Sequence, residues 1–302
     1  MSSIDTPTNG IAASASVNRS SASRTQKIAT PQVPIRRHKK SLIDNAIGRT
    51  VVQTLAVVIF FGVWELGVRV GLISSFMVGA PLSIFQALLR AAQSGMLWVD
   101  TGYTLFAALI GFVLGTVIGS AAGLALWYSP FVARVIEPFI VSINSVPKIA
   151  FAPIVVLWFG TGLVSKVALA VSLTAIIALV AAYEAAKDAD PDLQALILTL
   201  GATKNDVFYK VVVPSTLPYI IATFRINIGF GLVGAVVGEF ISSEKGLGHM
   251  IFTASSLYDL NTVWAGLFML MAIGFVLYFA IDRIERALLP WKAQSVSSTL
   301  RV

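Results

Sequence analysis

The chain has 302 residues, of which 56% are hydrophobic and only 12% charged, with a mean hydropathy of +0.82. Soluble domains carry about 25% charge, and a water-soluble core cannot bury this much apolar surface; the composition excludes a soluble globular protein and indicates a bilayer. The net charge of +7 reports orientation in such a chain before it suggests nucleic acid, and the absence of cysteine excludes disulfides, thiolate chemistry and cysteine metal sites.

Residues 1–50 are rich in Ser, Ala, Thr and basic side chains, with few acids and no apolar core of a signal peptide. They are expected to form a disordered basic cytoplasmic tail, because low hydrophobicity does not offset the entropy of ordering. An organellar transit peptide has a similar composition and is the rival reading. The cluster Arg36, Arg37, His38, Lys39 and Lys40 precedes the first apolar run, where it would hold the N-terminus in the cytoplasm and touch anionic headgroups.

Crossing the hydrocarbon takes about 20 apolar residues as a helix. Spans are predicted near 51–70, 100–127, 135–158, 163–184, 217–240 and 262–284, within a membrane domain of 51–290, and a short cytoplasmic tail follows at 291–302. The segment 81–94 is shorter and amphipathic, with Pro81 at its start and Leu82, Phe85, Leu88 and Leu89 on one side. It reads as an interfacial helix.

Six spans place both termini on one side. With the N-terminus inside, the tail, Arg134, Lys187, Lys204, Lys210, Arg283, Arg286, Lys292 and Arg301 are cytoplasmic, and only Arg69, Arg90, Lys166 and Lys245 are outside. That is the asymmetry of the positive-inside rule.

Within the second span, Gly111, Gly115, Gly119 and Gly123 form one smooth helical stripe, suited to internal helix packing or to a dimer contact. The third span carries Pro138, Pro147 and Pro153 with Asn144, Ser145 and Lys148. Such breaks persist at membrane depth only where protein or a water-filled cavity satisfies the freed groups. The span is therefore either a kinked packing helix or the lining of a translocation path, with Asn144 and Lys148 as path candidates. Glu239, near the outer end of the fifth span, is either snorkelling or a gate or substrate contact, and is the third path candidate. His249 stands alone and reads as a loop residue.

The polar insert 188–214 cannot lie in lipid. Asp190-Pro191 is a helix start, since Asp caps and Pro fits the first turn. The helix that follows carries Leu193, Leu196, Ile197 and Leu200 on one side, and Gly201 ends it in a left-handed turn. Thr203 and Asp206 have the spacing of a capping box, and Phe208, Val211 and Val212 give a second helix its apolar side. Pro214 and Pro218 mark the return to the membrane. Two short helices thus present an apolar knob to the cytosol, which packs on its own bundle or enters a partner's groove.

This insert resembles the EAA loop of bacterial ABC-importer permeases, whose pattern is Glu-Ala-Ala, three residues, Gly, nine residues, Ile, one residue, Leu-Pro. Anchored on Gly201, Val211 takes the Ile place, Val213 the Leu place and Pro214 the Pro. Ala195, Leu196 and Ile197 occupy the Glu-Ala-Ala places, so the first half departs; the literal Glu184-Ala185-Ala186 upstream has Asp190 where its glycine belongs. The stretches SVPKIAFAPIVVLWFGTGLVSK (145–166) and VVGEFISSEKGLGHMI (236–251) are similar to the nitrate, sulfonate and taurine permeases. The resemblance covers roughly 51–290. It implies an all-α membrane protein, a six-transmembrane-helix ABC importer permease bundle of the type I, MetI-like kind with two short cytoplasmic coupling helices. It also implies a homodimer in the bacterial inner membrane, two cytoplasmic ATPase subunits and a periplasmic or lipid-anchored substrate-binding protein, with lipid but no nucleic acid as a further contact. The residues it assigns to ATPase coupling are Leu193, Ala195, Leu196, Ile197, Leu200, Gly201, Ala202, Phe208, Val211 and Pro214.

The function expected is passage of a small solute, such as a sulfonate, taurine or nitrate, driven by a partner ATPase. The chain has no P-loop, so it is not expected to be an enzyme or to hold a cofactor or metal. A secondary transporter using an ion gradient is the alternative; it calls for intramembrane acids and inverted repeats, of which the sequence shows few and none clear. A membrane enzyme is a third class, and no HExxH or Ser-His-Asp set supports it.

Overall fold

The structure, a computed structural model, describes residues 46–290. The basic cluster at 36–40, the rest of the N-terminal tail, and the C-terminal tail with Lys292 and Arg301 lie outside the described residues. By its contacts the chain divides between Thr54 and Leu55; of the first unit only the opening of one helix is described, and the packing described below is that of the second.

The described elements are helical: α1 (Ala46–Arg69), α2 (Ser75–Val78), α3 (Pro81–Gln93), α4 (Met96–Leu126), α5 (Pro130–Ser145), a 3-10 turn (Lys148–Phe151), α6 (Ala152–Phe159), α7 (Leu163–Lys187), α8 (Pro191–Thr199), α9 (Lys204–Val207), a π turn (Phe208–Val212), α10 (Val213–Ile241), α11 (Leu247–Ser256) and α12 (Leu260–Leu288). Among the described residues five helical runs are long and apolar enough to cross a bilayer, and the α5–α6 pair, bent by 85°, makes a sixth if counted as one span. The bend falls at Val146-Pro147, between α5 and the 3-10 turn. Pro138 lies inside α5 without ending it, and Pro153 sits in the first turn of α6, where its missing N–H costs nothing.

The centre is α4, α7 and α10, held at backbone contact by glycines. A Cβ on Gly111, Gly115, Gly119 or Gly123 would strike Ala170, Thr174, Ala175 and Leu179 of α7 respectively. From the other side, Gly234 of α10 would meet the Ala170 Cα at 2.6 Å. The stripe is thus internal packing, and its partner is α7. Thr174 uses the close approach, donating its hydroxyl to Gly111 O at 3.1 Å and to Ala170 O at 2.8 Å.

Further out, Trp64 of α1 meets Trp264 of α12 edge-on at 5.5 Å. Arg225 of α10 bridges two acids of α12, Asp282 at 2.5 Å and Glu285 at 2.7 Å. In α3 the buried residues are Ile84 and Ala87, whereas Leu82, Phe85 and Leu89 point outward. Of the apolar side read from the sequence, Leu82, Phe85 and Leu89 are left outside the protein core and Leu88 is half-buried, while Ile84 and Ala87 pack against Ala265 of α12.

The bundle has two ends. At one lie Arg134, Lys187, Lys204 and Lys210 beside α8 and α9, with Arg283 and Arg286 at the close of α12. At the other lie Arg69, Arg90, Lys166 and Lys245. Helix direction alone therefore groups the basic residues as the span count expected. Lys166, however, is fully buried and faces no solvent.

Candidate functional site

The insert folds by local rules. One carboxylate oxygen of Asp190, Oδ1, accepts from the N–H groups of Asp192 (2.9 Å) and Leu193 (3.2 Å), which caps α8, and Pro191 takes the first turn. Past Leu200 the chain turns left-handed at Gly201 (φ +88°), and Ala202 N–H returns to Ile197 O at 3.2 Å. Thr203 then opens α9 with a reciprocal capping box: Thr203 N–H donates to Asp206 Oδ2 (3.0 Å) and Asp206 N–H donates to Thr203 Oγ1 (3.3 Å). Lys210 pairs with Asp206 at 2.7 Å.

The second short helix does not end at Pro214. α9, the π turn and α10 form one helical run of 38 residues, Lys204–Ile241. The π turn closes with Val213 N–H on Phe208 O, just before Pro214, which has no N–H to give an ordinary turn.

The residues expected to couple to an ATPase separate into two sets. Phe208 and Val211 are buried with Val207, Val212, Ala186 and Ala189, and Ile197 packs on that cluster. Phe208 packs in tilted contact with Trp127 (5.6 Å) and Tyr128 (4.6 Å), and Lys204 Nζ donates to Tyr128 O at 2.6 Å. Leu193, Leu196 and Leu200 face outward, with Leu200 79% exposed. Ala195, Gly201 and Pro214 are exposed too, and Ala202 is half-buried. The insert is thus a rigid base with an unpartnered row of leucines at i, i+3 and i+7.

Of the path candidates, the structure brings Asn144 and Lys148 together and leaves Glu239 elsewhere. Lys148 Nζ donates to Asn144 Oδ1 at 3.0 Å across the bend. Both line a cleft of about 360 Å³ with Leu173 and Ile177 of α7 and Phe230 of α10, near mid-bundle. Around it α5 and α6 expose Phe139, Val141, Leu157 and Trp158, and α5 buries only Ala133.

Glu239 is buried at the end of the bundle away from α8. Its Oε2 accepts from Thr104 Oγ1 of α4 (2.9 Å) and from Gly248 N–H of α11 (2.8 Å). Leu247 N–H donates to Thr104 Oγ1 (2.9 Å) and Gly246 N–H to Asp100 Oδ1 (2.8 Å). Lys166 reaches across from α7, donating to Thr161 O at 2.5 Å and to Ser242 O. Asp100 and Thr104 were not singled out from the sequence, and Lys166 was named only as a basic residue on the outer side. The one signal was a lysine inside an apolar run; a threonine in a helix announces nothing. Among the described residues no group of three or more His, Asp or Glu is placed to hold a metal.

Three comparisons bear on this arrangement. Residues 115–290 match the model of the family described as binding-protein-dependent transport system inner membrane component. The formylaminopyrimidine transport permease ThiX of Halalkalibacterium halodurans is 33% identical over 239 residues, 79% of this chain and 95% of its own. The riboflavin transport permease RibX of Chloroflexus aurantiacus is 31% identical over 80% of this chain and 89% of its own, and the taurine transport permease TauC of Escherichia coli is 30% identical over 80% and 90%. Among solved structures, the inward-facing MetNI methionine ABC transporter superposes with a TM-score of 0.55 at 21% identity, over 67% of this chain and 96% of that one, which establishes the fold. An all-helical bundle whose central helix continues into a capped, leucine-faced loop, matched over more than half its length, belongs to the family of binding-protein-dependent transport system inner membrane components, the permease subunits of ABC importers.

Proposed function

We propose that this permease works as a homodimer with ATP hydrolysed on separate cytoplasmic subunits that dock on the leucine face of α8. The observation that carries the reading is the exposed row Leu193, Leu196 and Leu200 beside the buried cluster of Val207, Phe208, Val211 and Val212. Such a face in water calls for a partner groove. Family membership displaces the ion-gradient alternative. Uptake into proteoliposomes tests the reading: it is expected only when the ATPase, ATP and the binding protein are all present. Uptake driven by a proton or sodium gradient without the ATPase would overturn it.

The Asn144–Lys148 cleft is the candidate path. An ammonium at mid-bundle depth is costly against lipid, so the exposed α5–α6 face must meet protein or water. A second copy of the chain supplies both: two such faces apposed bury the apolar residues and enclose the clefts. The substrate class is a small polar solute such as a sulfonate, taurine or nitrate. The relatives named for formylaminopyrimidine, riboflavin and taurine span several chemistries, so competition against one labelled solute is the measurement that selects among them.

The end bearing α8 is the cytoplasmic one in this reading, with both termini on that side. It carries most of the basic residues, as the positive-inside rule requires. The chain has no cysteine, so one introduced at exposed Lys204 is a clean reporter. Lys204→Cys is expected to resist an impermeant thiol reagent in intact cells and to react in inverted vesicles. Labelling from outside intact cells would reverse the orientation.

A further inference from the structure

The buried polar cluster at the end remote from α8 carries the next step. One helical run, Lys204–Ile241, starts in the coupling loop and ends two residues after Glu239. At about 1.5 Å per residue it is roughly 57 Å long, enough to span the membrane. Glu239 is 1% exposed, and its Oε2 carries two hydrogen bonds to two other helices.

The chain after α10 is fastened at both ends. Ser242, its first residue, receives Lys166 through its carbonyl, and Gly246, its last, gives its N–H to Asp100 at 2.8 Å. Gly246 adopts φ +111°, and a Cβ there would strike the Glu239 carboxylate. At Gly248 a Cβ would come within 2.7 Å of Val236 O and 2.8 Å of the Glu239 Cβ. The two glycines are thus cut to the carboxylate, and the backbone folds down on it. Between the fastened ends Glu244 and Lys245 are exposed, and with His249, Asp259, Met96 and Met250 they line a cleft of about 650 Å³.

We infer that Glu239 is a positioning residue for transport: it pins the 242–246 loop and the start of α11 to α10, so that displacement of the coupling loop is delivered to the rim of this cleft. A rod transmits motion only if both ends are fixed to what they move. The capping box and the Phe208 cluster fix one end, and Glu239 is the bond at the other. Both donors to Oε2 belong to the protein, which gives this oxygen a role apart from contact with solute, while Oε1 is buried without a hydrogen-bond partner among the described residues. The positioning role rests on the reading of α8 as the ATPase dock.

The experiment uses the assembled transporter in proteoliposomes, with a fluorophore on Lys245→Cys. With Glu239 in place, trapping the ATPase in its ATP-bound state is expected to change the fluorescence, and the binding protein to stimulate hydrolysis. In Glu239→Ala the complex assembles and hydrolyses ATP without the binding protein, but the fluorescence change disappears and uptake falls about tenfold or more. Glu239→Gln retains an acceptor oxygen for Thr104 and Gly248, and is expected to restore uptake to within about twofold. Should Glu239→Ala fail to assemble, Thr104→Val removes one donor and is expected to weaken the same two signals. The pin is overturned if Glu239→Ala keeps the fluorescence change and uptake, or if Gln and Ala fail alike. It is also overturned if uptake and ATP hydrolysis fall in proportion to the amount of folded protein. Absence of ATP-dependent uptake in the unmutated transporter would instead overturn the ATPase reading, and the pin with it.

Discussion

Gly201→Asp is expected to abolish coupling to the ATPase while leaving the permease inserted and folded. Gly201 sits at φ +88° with nothing within 4 Å of where a Cβ would lie, so a side chain there meets no clash inside the chain. The left-handed conformation costs a typical L-residue about 1–2 kcal/mol, and Asp and Asn less, because their short polar side chains bond locally. Backbone strain is therefore the smaller effect. The larger one is charge: the new carboxylate would stand beside Leu200 on the face offered to the partner, and an unpaired carboxylate buried in a contact costs several kcal/mol. A loss of about 2.7 kcal/mol weakens docking roughly 100-fold. Gly201→Asn separates the two effects, having nearly the same size and backbone preference without the charge. Co-purification of the ATPase and its stimulation by the binding protein are expected to survive in Gly201→Asn and to be lost in Gly201→Asp. Full ATPase binding and stimulation in Gly201→Asp would mean that this turn is outside the contact, and the coupling assignment would fail with it.

The turn was legible because everything that builds it is local. Asp190 reaches N–H groups two and three residues ahead, and Thr203 and Asp206 bond across three. Residue identity at fixed offsets specifies such geometry. The glycine stripe of α4 was half legible: the period of four defines a smooth face, but nothing in the period says that α7, some 60 residues on, fills it. Glu239 and Lys166 were the least legible. Whether a charged side chain in a span snorkels or is buried depends on partners that periodicity does not encode. Here the partner of Glu239 is Thr104, 135 positions away. Which residues of α3 pack inward was not legible for a related reason. Amphipathicity separates polar from apolar, whereas in a bilayer the large apolar residues can face outward and the small ones pack inward. Ala87 follows the second rule, whereas Ile84 is a large side chain packed inward beside it.

The glycine stripe of α4 sets the second large effect, at Gly119. A Cβ there would overlap the carbonyl oxygen of Ala175 and approach its C and Cα atoms at 2.8 and 2.9 Å. These are backbone atoms of α7, so no rotamer change relieves the overlap; α4 and α7 must separate. Separation breaks the contacts along the whole stripe, because a packed helix pair moves as a unit. Gly119→Ala adds only the offending carbon, and is expected to destabilise by about 1–3 kcal/mol, the range for overpacked cores. Gly119→Val adds two further methyl groups in the same place and is expected to exceed that range, leaving little folded protein in detergent. Gly102, on the same helix, has nothing within 4 Å of its Cβ position. Gly102→Val is therefore the control for side-chain size alone and is expected to behave as the parent does. Thermal melting of the three variants in detergent, read by the fraction remaining monodisperse, orders them as Gly102→Val, then Gly119→Ala, then Gly119→Val. Equal melting of Gly119→Val and Gly102→Val would mean that α4 and α7 do not touch backbone to backbone. The central triple of helices, and the rigid support it gives to α10 as a transmitting rod, would then be wrong.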